Sequence, residues 1–191
     1  MRIGVLALQG DVREHIDTLT KLSCETVEIR SRDQLQGIDG LILPGGESTT
    51  ISKLLDIFGL RNPVLDFIST GHAVFGTCAG MITLAKEVID SASGQQSLEV
   101  MDISVRRNAF GSQLDSFEEL LDFDGGQVNV AFIRAPIVER VGKGVQVLAS
   151  IEDGRVVAVR QKNMLATSFH PEITGETLVH QYFLQMISVD K

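Results

Sequence analysis

Apolar positions along the chain follow one period in the first half and another in the second. "RIGVLAL", Arg2 to Leu8, is a continuous apolar run that stops at "QGD", as a strand buried on both faces and ending in a turn would read. "DVREHIDTLTKL" then spaces Val12, Ile16, Leu19 and Leu22 along one helical face, with Asp11 as the candidate N-cap. "ETVEIR" and "GLILPGG" predict two more strands, the second stopped by Pro44 and Gly45. "TTISKLLDIFGL" predicts a helix with Ile51, Leu54, Leu55 and Phe58 on one face, and "PVLDFIST" another. "HAVFGT" predicts a fourth strand and "AGMITLAKEV" the helix after it. Alternation of strand and helix as far as about Lys86 implies right-handed βαβ units, and so a parallel sheet with helices on both faces. Functional groups of such a sheet gather at the C-terminal ends of its strands.

Beyond Lys86 the period shortens. "LEVMDISVRR", "NVAFIRAPIVERV", "VQVLASI" and "RVVAVRQ" are short alternating runs separated by turns such as "EDGR", which predicts an antiparallel excursion on the same core. "MLATSF", Met164 to Phe169, predicts a strand returning to the core, and "GETLVHQYFLQMI" a closing amphipathic helix. With no repeat, linker or low-complexity tract, residues 1–191 are expected to form one α/β domain of three layers, a mostly parallel central sheet flanked by helices.

Composition adds mainly exclusions. A chain of 191 residues, 43% hydrophobic and 22% charged, can bury a core without staples. Its net charge of -8, with no basic cluster longer than Arg30 with Arg32 or Arg106 with Arg107, argues against a nucleic-acid surface. The opening apolar run meets Gln9 and Asp11 too soon for a signal peptide or a membrane span. Cys24 and Cys78 are too few and too far apart for a disulfide framework or a zinc site, so a cytoplasmic protein without metal or cofactor is expected.

Candidate chemistry falls on three strand ends. Gly76-Thr77-Cys78-Ala79-Gly80 has the Gly-x-nucleophile-x-Gly form of a strand-to-helix elbow, in which the side chain stands above the sheet and the helix N-terminus favours a thiolate. Burial as a small apolar residue is the competing role, and the better one for Cys24, which lacks the glycine frame. "SFHPE" supplies what a thiolate needs, His170 as base and Glu172 to orient it. His15 and His180, inside helical patterns, and His72, after a turn glycine, are weaker candidates. "LPGGEST" can turn backbone N–H groups toward an oxyanion, together with the N–H after Cys78, or can simply be a loop before a Ser or Thr helix cap. These signals leave open an acyl-transfer enzyme, a cysteine hydrolase of another specificity, and a non-catalytic binding or regulatory subunit on a similar sheet.

"PGGES", "GTCAG" and "HPE", in this order, resemble the class I, triad-type glutamine amidotransferases, which have a flavodoxin-like fold. "GVLALQGDVREH", "LILPGGESTT", "RRNAFGSQLDSFE" and "FIRAP" are similar more narrowly to the glutaminase subunits of pyridoxal 5'-phosphate synthase, across residues 4 to 172. The resemblance implies hydrolysis of L-glutamine to glutamate and ammonia, with the ammonia passed to a separate synthase subunit that activates its glutaminase on docking. It assigns Cys78 as nucleophile, His170 as general base and acid, and Glu172 as its orienter. Gly46, Glu47 and Ser48 match the glutamine-binding loop, Gly46 and Ala79 the oxyanion donors, and Ile133 and Arg134 further substrate positions. Arg107 matches the remaining one, although Arg106 doubles the arginine before "NAFG" and allows a reading one residue off. Gln9 and Asp11, on the first strand-end loop, are the expected contacts to the synthase partner.

Overall fold

The computed structural model describes residues 1–109 and 116–189, so the "FGSQLD" part of the family-like motif lies outside the described residues. Its first half alternates as the apolar pattern requires: β1 (Arg2–Leu6), α1 (Val12–Lys21), β2 (Glu25–Ile29), β3 (Gly40–Leu43), α2 (Ser48–Ile57), α3 (Arg61–Ser69) and β4 (Ala73–Thr77). Strands β2, β1, β3 and β4 lie side by side in parallel, with every residue of β3 and β4 buried. Phe58 departs from the expected helix face. Ile51 and Leu55 are buried and Leu54 half-buried, but Phe58 is the C-cap of α2, where the chain turns at Gly59, and is 52% exposed. Leu60, just past the turn, is fully buried in its place.

The larger correction follows β4. The predicted helix over "AGMITLAKEV" ends early: α4 (Ala79–Leu84) lasts six residues, all buried, and β5 (Ala85–Ile89) begins at once. A helix buried on every side cannot carry Lys86 and Glu87 forward without desolvating them. The chain instead leaves as an edge strand, which exposes both charges and pairs in parallel with β6 (Met101–Arg106). At the start of α4, Gly80 lets the helix lie against β3, since a Cβ there would fall 2.1 Å from the Leu43 carbonyl oxygen.

The second half is the antiparallel excursion. β7 (Ser116–Phe123) and β8 (Gly126–Ile133) form a separate ribbon, whereas β9 (Ile137–Val141), β10 (Gln146–Ser150) and β11 (Val156–Gln161) extend the main sheet. β12 (Met164–Thr167) then returns to a central place between β4 and β11, parallel to the first and antiparallel to the second. One face of the sheet packs against α2, α3 and α4, the other against α1, α5 (Leu178–Val189) and the β7–β8 ribbon.

Registry between β12 and β4 sets up the site. Thr167 pairs with Thr77, and the Cys78 N–H donates to the Thr167 carbonyl at 2.8 Å. Residues just beyond these two strands therefore emerge side by side.

Candidate active site

Cys78 occupies the turn between β4 and α4 with φ 46° and ψ -100°, a conformation that costs a non-glycine residue strain and is kept only where surroundings impose it. Here the Thr167 carbonyl holds its N–H, and its own carbonyl accepts the Ile82 N–H at 3.2 Å. The side chain is 6% exposed, with Sγ 3.9 Å from the Ile133 carbonyl oxygen. Ala79 opens α4, so its N–H falls in the first turn, where a helix offers no acceptor of its own.

His170 lies three residues beyond β12. It is fastened to the β7–β8 ribbon by its N–H, which donates to the Ala131 carbonyl at 2.8 Å. Its Nδ1 is 2.8 Å from Glu172 Oε1 and 3.3 Å from Asp11 Oδ2, leaving Nε2 for the cysteine. Burial works against a proton on this ring, but hydrogen bonds with Asp11, the Cys78 sulfur and Glu172 outweigh it and raise the pKa above the usual imidazole range. Burial pushes the Glu172 carboxyl upward, partly offset by the imidazolium beside it. Gly45 allows the third loop to close on this pair, because a Cβ there would sit 2.2 Å from His170 Cε1. Asp11, His170 and Glu172 bring ligand atoms within 4.8 Å of one another, as a cation site would. With Nδ1 already engaged by a carboxylate and the ring drawn toward its cationic form, the same geometry suits a proton carrier better.

Gly46, Glu47, Ser48, Arg107, Ile133 and Arg134 line one cavity of about 430 Å³ with Cys78 and His170. That volume is in the roughly 300–1,000 Å³ range of small-molecule sites. The two neighbouring arginines point in different directions. Arg107 faces the cavity, with Nη1 3.0 Å from Gln95 Oε1 and Nη2 3.5 Å from Glu47 Oε1, whereas Arg106 turns outward to Asp90 at 2.8 Å and Glu139 at 2.5 Å. The cap of α2 is Glu47 rather than a Ser or Thr: its carboxylate accepts the Thr49 and Thr50 N–H groups at 3.1 and 2.8 Å and both hydroxyls. Partial burial opposes its charge, but these donors pull the carboxyl down to about 2. An anion thus stands 3.5 Å from the Arg107 cation on the wall of the cavity, a pair of opposite charges that suits a zwitterionic ligand. Asp11 stands at the N-cap position of α1, yet its side chain makes no capping bond and turns to His170 instead.

The structure adds residues that the pattern did not single out. Asn108 and Ile82 line the cavity, and Gln95 ties Ser48 to Arg107. Thr77 Oγ1 accepts the Gly45 N–H at 3.0 Å, joining the elbow to the glycine loop. His15 and His180, set aside as helical, are fully buried behind Glu172. A signal was present: each is a polar residue on a core-facing stripe, His15 among Val12, Ile16 and Leu19, His180 beside Val179 and Phe183.

The SNO glutamine amidotransferase family matches residues 5–189. The chain is 57% identical over 189 residues to the pyridoxal 5'-phosphate synthase subunit PdxT of Dehalococcoides mccartyi, covering 97% of both proteins. It is 56% identical over 192 residues to PdxT of Nocardia farcinica, covering 97% of this chain and 85% of that protein. A glutamine amidotransferase crystal structure, 48% identical, superposes with a TM-score of 0.92 over 97% of this chain and 98% of the other. The chain belongs to the SNO glutamine amidotransferase family.

Proposed function

We propose that Cys78, His170 and Glu172 carry out the glutaminase reaction of pyridoxal 5'-phosphate synthase: hydrolysis of L-glutamine to L-glutamate, with the ammonia supplied to a synthase subunit for vitamin B6 synthesis. The observation that carries this reading is the buried line from Glu172 Oε1 to His170 Nδ1, at 2.8 Å, and from His170 on to a cysteine in a strained elbow. The Cys78 thiolate attacks the carboxamide carbon, and the N–H groups of Gly46 and Ala79 receive the developing oxyanion. His170 gives its proton to the departing nitrogen, so ammonia leaves and a glutamyl thioester remains. His170 then takes a proton from water as that water attacks the thioester. Collapse releases glutamate and restores the thiolate beside the imidazolium. Arg107 and Arg134 suit the α-carboxylate of the substrate and Glu47 its α-ammonium, with Ser48 and Ile133 completing the walls.

The synthase subunit serves as an activating partner that docks on the first strand-end loop. Gln9 Oε1 accepts the Glu47 N–H at 2.7 Å, and the Asp11 N–H donates to the Gly45 carbonyl at 3.1 Å, so any shift of this loop reaches the oxyanion donors. A cytoplasmic location fits that partnership, and among the described residues no helix is long and apolar enough to cross a membrane. Glutamate release by the purified chain, with and without the synthase subunit and beside Cys78→Ala, tests this reading. Activity is expected with the partner and is lost in the variant; a fully active Cys78→Ala, or a wild type inert even in the complex, contradicts it.

A further inference from the structure

Behind the triad lies a second pair of rings that the glutaminase chemistry does not use. His15, on the inward face of α1, and His180, on α5, are both fully buried and meet with Nδ1 of the first 3.0 Å from Nε2 of the second. The other nitrogen of His15, Nε2, is 3.1 Å from Thr77 Oγ1 and 3.5 Å from Glu172 Oε1. One ring therefore touches the strand end that carries the nucleophile, the triad carboxylate and, through the Thr77 hydroxyl, the Gly45 N–H of the glycine loop.

Proton positions follow from counting partners. Burial, followed by the neighbouring His180 and His170 charges, holds the His15 pKa well below its usual value, and burial lowers that of His180 to about 3, so both rings are neutral. Each then carries a single N–H. If His15 gave its proton from Nδ1 to His180, the His180 N–H would sit on Nδ1, which among the described residues has no hydrogen-bond partner, and a bare lone pair of His15 would face Glu172. In the opposite arrangement His180 donates from Nε2 to His15 Nδ1, and His15 presents its Nε2–H to Thr77 and Glu172. This one leaves no buried N–H orphaned and sets a positive edge against the carboxylate, with Thr77 Oγ1 accepting from both His15 and Gly45.

We propose that His15, with its tautomer fixed by His180, is a positioning residue that supports Glu172 Oε1 alongside His170 and locks it to the elbow through Thr77. The inference rests on the catalytic assignment above. Glu172 Oε2 has no partner among the described residues, so the anion depends on what surrounds Oε1. The titratable groups facing Glu172 are His170, the neutral His15 and the more distant Asp11; those facing His170 are Asp11, Cys78 and Glu172. Without the His15 donor, burial drives Glu172 toward its neutral acid, which supports the His170 imidazolium less well.

The test uses the complex with the synthase subunit. His15→Leu is expected to lower kcat on the order of a hundredfold, the effect of a small displacement of a reacting group. KM for glutamine should stay within about twofold, because no substrate contact is removed. The alkaline limb of the kcat/KM profile, which reports loss of the His170 proton, should move to lower pH. His15→Gln, whose amide N–H reaches the Nε2 position, should restore most of kcat and of the limb. Wild-type kcat and an unmoved limb in His15→Leu, or equal losses in the two variants, would overturn the proposal. Nitrogen NMR of the wild-type rings answers the case in which His15→Leu fails to fold: a neutral Nε2–H tautomer on His15 is expected, and an Nδ1–H tautomer or a cation refutes the relay. Failure of the catalytic assignment is recognised separately, by activity remaining in Cys78→Ala.

Discussion

Gly80→Ala adds one methyl group to the tightest backbone approach in the elbow, and its effect follows from the geometry. The new Cβ would lie 2.1 Å from the Leu43 carbonyl oxygen, 3.0 Å from the Leu43 carbonyl carbon and 3.1 Å from its Cβ, and real Cβ atoms essentially never approach below 3.0 Å. The obstacle is the backbone of β3, held on both sides by β1 and β4, so no side chain can turn aside to make room. Helix α4 must lift from the sheet by about 1 Å, and it takes Cys78, at the base of its first turn, with it. A displacement of that size at a reacting atom costs on the order of a hundredfold in rate, and overpacking a filled core costs about 1–3 kcal/mol. Glutamate release by the assembled enzyme gives the first quantity and chemical denaturation of the chain alone gives the second. Because the nucleophile moves while the substrate walls stay, kcat should fall more than KM rises. A Gly80→Ala enzyme with wild-type kcat and stability would refute the reading that close contact between α4 and β3 places the cysteine.

Arg107→Met should raise KM for glutamine by about tenfold or more, as loss of a charged hydrogen bond does, whereas Arg106→Met, which breaks only exposed pairs to Asp90 and Glu139, should leave it within about twofold. His180 is held neutral by burial, with its pKa lowered to about 3, so the unfolded chain takes up a proton that the native ring refuses as pH falls below about 6.5. Stability should be full above that pH and decline below it by as much as about 1.4 kcal/mol per pH unit for this residue. Urea titrations from pH 6 to pH 4.5 should show the decline lessened in His180→Leu, in which Glu172, of opposite sign, is retained; an unchanged slope would show that the ring is not held neutral. Phe58→Ser should change stability by no more than about 0.5 kcal/mol in a thermal melt, against about 2–5 kcal/mol for Leu60→Ala two residues further on.

The strand ends to which the chemistry is assigned were legible because a parallel sheet leaves two plain marks: continuous apolar runs, and glycine or proline where they stop. "HAVFGT" and "MLATSF" could be recognised as core strands, but that they are neighbours, with Thr77 opposite Thr167, is a long-range fact that no local period encodes. The end of α4 was missed because "AGMITL" and "AKEV" join without a breaker; what ends the helix is the cost of burying Lys86 and Glu87 where the sheet leaves no water. Asp11 carries a capping signal, and the side chain obeys it in position but turns toward the buried imidazole instead. His15 and His180 show the converse. Their helical spacing was visible, but only tertiary contact makes sense of two neutral imidazoles in an apolar layer.

The central claim is that glutamine becomes covalently attached to Cys78 before it is released as glutamate, and trapping that intermediate tests it most directly. The assembled enzyme is mixed with glutamine, quenched in acid within one turnover and digested, and its peptides are weighed. The account predicts a glutamyl adduct on the wild-type peptide carrying Cys78, missing from the Cys24 peptide and strongly reduced in His170→Asn, which cannot protonate the departing nitrogen. Glutamate formed in a full first turnover with no adduct at Cys78 in the wild-type enzyme, or with one at Cys24, would contradict it.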